Sequence, residues 1–296
     1  MRILITGGNG FIARNLFEQL NKDYEVFSLN SKEFDLLDHL KVFNYIKKVK
    51  FECVIHAATY DAAPKYSIKD PSKVLENNLK MFFNLARCKD YFAKMIYFGS
   101  GAEFCRENWL PKMKESYFDQ HVPQDQYGFS KYVMAKHAQS SANIYNLRLF
   151  AVFGKYEDWR VRFISNACCN AILGLPILIN QNTNFDFLYM DDLVRIVKWF
   201  INNEPKQHIY NVCTGKVIDF CSIAEKIIKF SGKKLDIVVK KDGLGREYSG
   251  DNSLLLSELN NFKFFPSDDA IKELYEWHDS HRDIIDKEKL QTDWHR

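Results

Sequence analysis

The feature that most constrains this chain lies in its first thirteen residues. Arg2-Ile3-Leu4-Ile5-Thr6 is a short apolar run, Gly7-Gly8-Asn9-Gly10 is a glycine turn, and Phe11-Ile12-Ala13 opens an apolar-periodic segment. Strand, turn and helix in that order predict the first βα unit of a dinucleotide-binding sheet. Small residues are needed because the backbone must turn without a Cβ clash. It must also approach a diphosphate closely enough for N–H groups at the helix start to bind it. The spacing Gly7-x-x-Gly10-x-x-Ala13 differs from the commoner G-x-G-x-x-G, and glycine turns also join strands to helices that bind nothing. The loop nominates Gly7, Asn9, Gly10, Phe11 and Ile12 as cofactor contacts and leaves the decision to the rest of the chain.

Composition narrows the field. At 296 residues the chain suits one large α/β domain or two unequal lobes. A net charge of +3 is too small to argue for a nucleic-acid or membrane partner. No apolar run approaches the roughly 18 residues of a membrane span. Met1 leads straight into a buried strand, which predicts no signal peptide. The seven cysteines show no C-x-x-C spacing and read as reduced thiols of a cytoplasmic protein. No metal site is read from the sequence.

The second strand, Tyr24–Leu29, runs into Asn30-Ser31-Lys32 rather than into the acid that commonly holds the adenosine ribose hydroxyls. Small polar groups and a lysine suit a 2′-phosphate that a carboxylate would repel, which favours NADP(H). Glu33 follows closely and keeps NAD(H) as the alternative. Arg14 is a second candidate for that phosphate, and reads equally as a solvated helix arginine. The segment from Phe34 starts a helix through Lys50 capped by Asp38, with Asp35 and Leu36 counted among the cofactor contacts. Cys53–Thr59 is a third buried strand whose small tip, Ala57-Ala58-Thr59, suits a place under a cofactor; His56 reads as structural. A long helix from Ser72 to Lys89 carries Asn78, also taken as a cofactor contact.

Met95–Ser100 is the fourth strand and presents Ser100 at the end where ligands sit in open parallel sheets. Tyr127-Gly128-Phe129-Ser130-Lys131 opens a helix through about Asn143, so Tyr127 and Lys131 share one face. A tyrosine is a poor acid or base at neutral pH until a nearby cation favours its phenolate. A hydroxyl such as Ser100 can then share the substrate oxygen. The fifth strand, Ile144–Phe150, brings Leu149 to the cofactor side. Further on, helices are expected around Phe163–Leu173, from an aspartate-capped start near Asp191 to about Asn202, over Ser222–Phe230 and over Ser267–Trp277. Strands are expected at Ile209–Val212 and Leu235–Val239, the latter followed by a polar turn, Asp242–Gly245. The expected architecture is α/β: a Rossmann-type doubly wound parallel sheet with a smaller α/β substrate lobe. Residues 1–155 plus about 186–212 would form the NADP-binding part, and about 156–185 plus 213–296 the lobe.

Together the marks Thr6–Ala13, His56-Ala57-Ala58, Ser100, Tyr127/Lys131 and Asp186–Leu193 resemble an extended short-chain dehydrogenase/reductase. Within that group the chain resembles the nucleotide-sugar epimerase/dehydratase family and is closest in pattern to GDP-fucose synthase-like reductases. The resemblance implies that Tyr127 is the general acid/base. Lys131 would anchor the nicotinamide ribose and lower the tyrosine pKa, and Ser100 would hydrogen-bond the sugar oxygen at the carbon receiving hydride. It also implies a homodimer through the Ser72–Lys89 and Tyr127–Asn143 helices.

Departures from the pattern narrow the reaction. The epimerising cysteine of GDP-fucose synthases falls at Ala102 here, and the insertion around Arg160-Val161-Arg162 offers no histidine. Dehydratases carry acids directly after the hydroxyl residue, where this chain has Gly101 and Ala102. Hydride transfer remains, and with it the expected reaction: NADPH-dependent reduction of a 4-keto nucleotide-diphosphate deoxysugar in surface-glycan precursor synthesis. The alternatives are a nucleotide-sugar 4-epimerase with retained NAD and a non-catalytic NADP-binding regulator. Glu103, Arg160, Arg162, Tyr189 and Arg246 are the candidate substrate contacts, the arginines to neutralise a diphosphate.

Overall fold

The computed structural model describes residues 1–64 and 66–292. The first strand, β1 (Arg2–Thr6), is buried on both sides and alternates strictly. Ile3 and Ile5 face one layer, and Leu4 faces the other. It lies next to the edge strand of a six-stranded sheet with β2 (Glu25–Leu29), β3 (Cys53–His56), β4 (Lys94–Ser100), β5 (Ile144–Leu149) and the strand Ile209–Val212. The order is β2-β1-β3-β4-β5 followed by Ile209–Val212, and every pairing is parallel.

Helices cover both faces, which is why the strands are apolar throughout. On one side α1 (Phe11–Leu20) and α6 (Met190–Asn202) pack on Ile3, Ile5, Ile55, Ile96 and Leu147. On the other, α2 (His39–Val49), α3 (Val74–Ala86) and α4 (Gln126–Gln139) pack on Leu4, Val54, Met95 and Tyr97. The chain crosses from one face to the other at β1, so the carboxyl ends of β1 and β3 border the crevice typical of doubly wound folds. A separate core unites α5 (Phe163–Ile172), α7 (Phe220–Ser231) and the helix Ser267–Ser280 around Ile164, Ile177, Ile223 and Leu274. Among the described residues no helix is long and apolar enough to cross a membrane.

Local chemistry sets the element ends, and several differ from expectation. The Asp38 carboxylate caps α2 by accepting from Lys41 N at 3.1 Å, which delays the helix to His39. The long helix ends at Ala86 and is entered through a 3₁₀ turn, Pro71–Lys73. No aspartate caps α6: the cap position is Tyr189, and Asp191 and Asp192 lie in the first turn, favourable to the helix dipole. Asp192 instead accepts from Phe265 N at 2.9 Å. The polar segment Asp242–Gly245 is not a free turn. The strand runs on from Ile237 to Leu244 and absorbs it as an irregularity between Lys241 and Leu244, paired in parallel with Ile177–Asn182.

Asp186 fastens the seam after the sixth strand. It is fully buried and its two oxygens accept from Thr214 N (2.8 Å), Thr214 Oγ1 (2.7 Å) and Gly215 N (2.7 Å). Asp186→Ala strips all three donors of their acceptor and is expected to lower unfolding free energy by about 3 kcal/mol, measured by urea denaturation. A loss below about 0.5 kcal/mol would show that solvent satisfies the turn instead.

Candidate active site

The site is built at the carboxyl ends of β1, β3 and β4. Gly7 follows β1 with φ +74°, a conformation L side chains rarely adopt, and a Cβ there would lie 2.8 Å from Ala58 Cα. The glycine turn is thus pressed against the tip of β3. Gly10 caps α1 without any side-chain hydrogen bond, and the first turn carries no acid. A helix start left uncapped, without a carboxylate and behind a turn of glycines, fits a diphosphate. Ala57, Ala58 and Thr59 continue β3 beside this turn, with Ala58 N donating to Thr6 Oγ1 at 3.3 Å. His56 is structural: its Nδ1 meets Thr6 Oγ1 at 2.9 Å, and burial, helped by Lys131, lowers its pKa to about 3.

Ser100 ends β4 and turns at once into a short 3₁₀ helix, Gly101–Phe104. Its hydroxyl oxygen accepts from Ala102 N at 3.1 Å, while Glu103 Oε1 accepts from Ser100 N at 3.0 Å. The next helix, α4, starts at Asp125, whose carboxylate accepts from Gly128 N at 2.8 Å. A Cβ on Gly128 would lie 3.0 Å from the Ala102 carbonyl oxygen, so α4 presses directly on the turn that follows Ser100. Tyr127, in the first turn of α4, is thereby brought close enough for Ser100 to act on its phenol. Lys131, one turn on, donates from Nζ to the Phe98 carbonyl at 2.9 Å and lies 5.6 Å from the Tyr127 ring centre. Ser100, Tyr127 and Lys131 therefore converge.

Their electrostatics depart from expectation. Burial, with Asp61 adding to it, pushes the Tyr127 phenol above its usual value; Ser100, Arg162 and Arg106 pull the other way. Burial lowers Lys131 to about 8, with Glu103 and Asp61 opposing. Burial thus outweighs the cation, and the tyrosine is not brought down. The low-dielectric site holds the phenol protonated and weakens the ammonium.

Several expected contacts lie elsewhere. Glu103 does not face the substrate side: it is fully buried, accepting from Arg148 Nε at 2.7 Å and from Asn146 Nδ2 at 3.1 Å. Tyr189 is core, packed on Phe153 and Phe265 with its hydroxyl donating to Glu273 at 2.8 Å. Asn78 spends its amide on the chain after β3, accepting from Tyr60 N (2.8 Å) and donating to Tyr60 O (2.9 Å) and Val74 O (2.8 Å). Arg14 lies flat on the Tyr156 ring, 3.6 Å from its centre, which commits it to the seam between α1 and the 155–160 segment rather than to the end of β2. Leu36 and Leu149 are buried in the two core layers, while Asp35 is exposed and accepts from Leu37 N at 2.9 Å.

At the end of β2, Asn30 Oδ1 accepts from Lys32 N at 2.9 Å, and Glu33 turns its carboxylate onto Asn30 N at 3.0 Å. Ser31 and Lys32 are exposed. Arg160 pairs with Asp158 through Nε and Nη2, both at 2.8 Å, and covers the Tyr66 ring. Arg162 is the arginine of this insertion whose charge reaches Tyr127. Arg246 donates to the Arg106 carbonyl at 2.8 Å.

Residues that sequence reasoning passed over complete the site. Arg106 lies 6.0 Å from the Tyr127 ring centre and Asp61 faces both Tyr127 and Lys131. Tyr248, from a distant part of the chain, places its hydroxyl 2.6 Å from where a Gly101 Cβ would lie. No motif spacing marks these residues; Gly101 alone, a glycine where a side chain is usual, hinted that something occupies the space.

The fold and this strand-end cluster define a dinucleotide-binding, doubly wound α/β protein. The model of the NAD dependent epimerase/dehydratase family matches residues 3–213, and the chain belongs to that family. It is 26% identical over 281 residues to GDP-L-colitose synthase of Yersinia pseudotuberculosis, covering 86% of this chain and 91% of that protein. It is also 26% identical over 285 residues to ADP-L-glycero-D-manno-heptose-6-epimerase of Brachyspira hyodysenteriae, covering 83% and 86%. Its fold matches a GDP-L-fucose synthetase from Naegleria fowleri bound to NADP with a TM-score of 0.82 at 19% identity, over 96% of this chain and 95% of that one.

Lys131 gives the unliganded protein a pH signature. Between its folded value of about 8 and its usual 10.5, the unfolded chain keeps a proton that the folded chain has lost. Stability therefore rises with pH across that window. The unfolding free energy of the wild type minus that of Lys131→Met is expected to be flat below pH 8 and to climb from pH 8 to 10.5. A difference that stays level throughout would mean that the ammonium is solvated.

Proposed function

We propose that this protein reduces a 4-keto nucleotide-diphosphate deoxysugar, with NADPH as the favoured cofactor and NADH as the alternative. The observation that carries the reading is the convergence of Ser100, Tyr127 and Lys131 at the end of β4 while Glu103 and Cys105 are engaged elsewhere. Glu103 is locked under the strand with Arg148, and the Cys105 thiol donates to Glu107 at 3.1 Å. Family membership and the full-length similarity to a GDP-sugar synthase support a nucleotide-sugar substrate.

The cofactor supplies a hydride at its nicotinamide ring. Gly7, Asn9, Gly10, Phe11 and Ile12 would hold its diphosphate, Asn30, Ser31 and Lys32 its adenosine end, and Ala57, Ala58 and Thr59 its central part. Lys131 would reach the nicotinamide ribose. Tyr127 donates its phenolic proton to the carbonyl oxygen of the substrate as that oxygen gains charge, and Ser100 donates a hydrogen bond to the same atom. A phenol kept protonated by burial suits a proton donor, which favours the reductive direction over an epimerase that must first deprotonate a hydroxyl. Arg162 and Arg246 are the candidate diphosphate contacts; Arg160 is already paired. We read the substrate as bound between the 1–155 plus 186–212 part and the lobe of 156–185 plus 213–296. A cytoplasmic homodimer through α3 and α4, serving surface-glycan synthesis, is the expected setting.

Wild-type enzyme is expected to consume NADPH with a GDP-linked 4-keto-6-deoxyhexose, and Tyr127→Phe to lose about 10²–10⁴-fold in kcat. Unchanged turnover in that variant sinks the reading. The relative named as a 6-epimerase keeps epimerisation as the second reading. Purified protein that retains a tightly bound NAD and isomerises a sugar nucleotide without net redox would establish it instead.

The cofactor preference depends on Lys32 outweighing the nearby Glu33 carboxylate. Lys32→Ala is expected to weaken NADPH about tenfold while leaving NADH within twofold, measured by fluorescence titration. Equal losses for the two cofactors would remove Lys32 from the 2′-phosphate.

A further inference from the structure

The chain that leaves Ser100 reverses sharply after Phe104. Cys105 has φ +62°, in the left-handed region that a residue with a side chain seldom adopts, and its surroundings must hold it there. Its N–H donates to the Ala102 carbonyl at 3.3 Å. Trp109 closes the loop by donating from Nε1 to the Gly101 carbonyl at 3.0 Å.

This loop sets Arg106 beside Tyr127. The guanidinium carbon is 6.0 Å from the Tyr127 ring centre and 5.4 Å from that of Trp109. Arg106 Nε pairs with Asp125 Oδ2 at 3.5 Å, and the other oxygen of Asp125 caps α4, the helix that carries Tyr127. The Arg106 carbonyl accepts from Arg246 Nη1 at 2.8 Å, which ties the loop to the C-terminal part of the chain. The arginine is thus held at its backbone and at Nε. Neither of its terminal nitrogens donates to a described residue, and 46% of the side chain is exposed. The free end of the fork is two donors without an acceptor, next to the phenol.

We propose that Arg106 reads the hydroxyl on the carbon next to the substrate's ketone, and so selects a 4-keto-6-deoxyhexose that keeps its hydroxyl at carbon 3. The inference rests on the reductase reading, which puts the ketone oxygen within hydrogen-bond reach of Tyr127. The gap between Tyr127 and Arg106 is then one that two hydrogen bonds of about 3 Å can span, one to each of two vicinal oxygens. Of the two carbons flanking the ketone in such a sugar, carbon 5 carries a methyl group and the ring oxygen. Carbon 3 alone carries a hydroxyl. A guanidinium satisfies a hydroxyl lone pair and gains nothing from a methyl group. The diphosphate hangs from carbon 1, across the ring, and falls to other arginines.

The test compares two GDP-linked 4-keto-6-deoxyhexoses, with and without the hydroxyl at carbon 3, on wild type and Arg106→Met. Calorimetry on protein loaded with NADP⁺ reads binding, and NADPH consumption reads kcat/KM. The ratio of the two sugars within one protein cancels any loss of folded enzyme. Wild type is expected to prefer the hydroxylated sugar about tenfold or more in both readouts. Arg106→Met should bring the ratio to within about twofold, through loss on the hydroxylated sugar alone, and bind GDP itself as wild type does. A wild type indifferent to the hydroxyl overturns the proposal, as does an unaltered ratio or an equal loss on both sugars in Arg106→Met. A matching loss on GDP overturns it too, by placing Arg106 on the diphosphate. Wild type that binds the sugars and reduces neither overturns the reductase reading instead, and the calorimetric ratio then decides whether Arg106 reads the hydroxyl. Protein that binds neither sugar overturns both.

Discussion

The site depends on one buried ion pair. Glu103 and Arg148, both fully buried, meet at 2.7 Å beneath the end of β4. Arg148 stands on β5 and donates onward to Asn211 Oδ1 of the sixth strand at 3.0 Å; Asn211 in turn donates from Nδ2 to the Met113 carbonyl and from its backbone N to Glu115, both at 2.8 Å. Three strand ends and the connection after Ser100 are thus tied by charge-assisted bonds in a low-dielectric interior. A buried pair is weak evidence for stability, because desolvation consumes much of the Coulombic gain. Its value here is geometric. Glu103 accepts the Ser100 backbone N–H and thereby sets the turn that aims the serine hydroxyl. Removing either partner would leave an uncompensated charge, so the arrangement persists only as a whole.

Above that pair, the working residues share a single electrostatic environment. Burial raises Tyr127 and lowers Lys131, so both shift toward their neutral forms, as groups do when water is withdrawn. Asp61 acts on both: it favours the protonated phenol and supports the ammonium. The Tyr127 phenol is therefore held in its protonated form. Lys131 keeps its place through the Phe98 carbonyl, an anchor on the same strand as Ser100, so the lysine and the serine move together with β4.

The sheet was legible because its signals are local. Alternation in Ile3-Leu4-Ile5, the glycine turn at Gly7 and the small tip Ala57-Ala58 each follow from their own few residues. The convergence of Ser100, Tyr127 and Lys131 was legible because each sits at an element end, where topology brings ends together. What failed was the direction of side chains. Glu103 and Tyr189 carry polar groups that read as ligand contacts, but each finds a partner buried below or behind the site, Arg148 and Glu273, from a part of the chain that no spacing rule connects. Asn78 spends its amide on Tyr60 and Val74, and Arg14 lies on the Tyr156 ring. Tyr248 was invisible because Gly101, whose side-chain place it fills, is 147 positions away and a missing side chain is its only trace.

The two glycines flanking Ser100 show how tightly this turn is packed. A Cβ on Gly99 would lie 2.1 Å from Glu103 Oε1 and 2.2 Å from Asn146 Oδ1, so that glycine exists to let the buried carboxylate pass under the strand. Gly101 exists to admit Tyr248 above it. One glycine serves the ion pair and the other serves the phenol, and the serine between them has neither side left for a neighbouring acid. An acidic residue at position 101 would collide with the Tyr248 hydroxyl and bring a carboxylate into a site that already lowers Lys131. Changing this turn toward elimination chemistry therefore requires at least two coordinated substitutions, one at Gly101 and one at Tyr248. The proposed hydride transfer would need neither, because in that reading the proton comes from Tyr127.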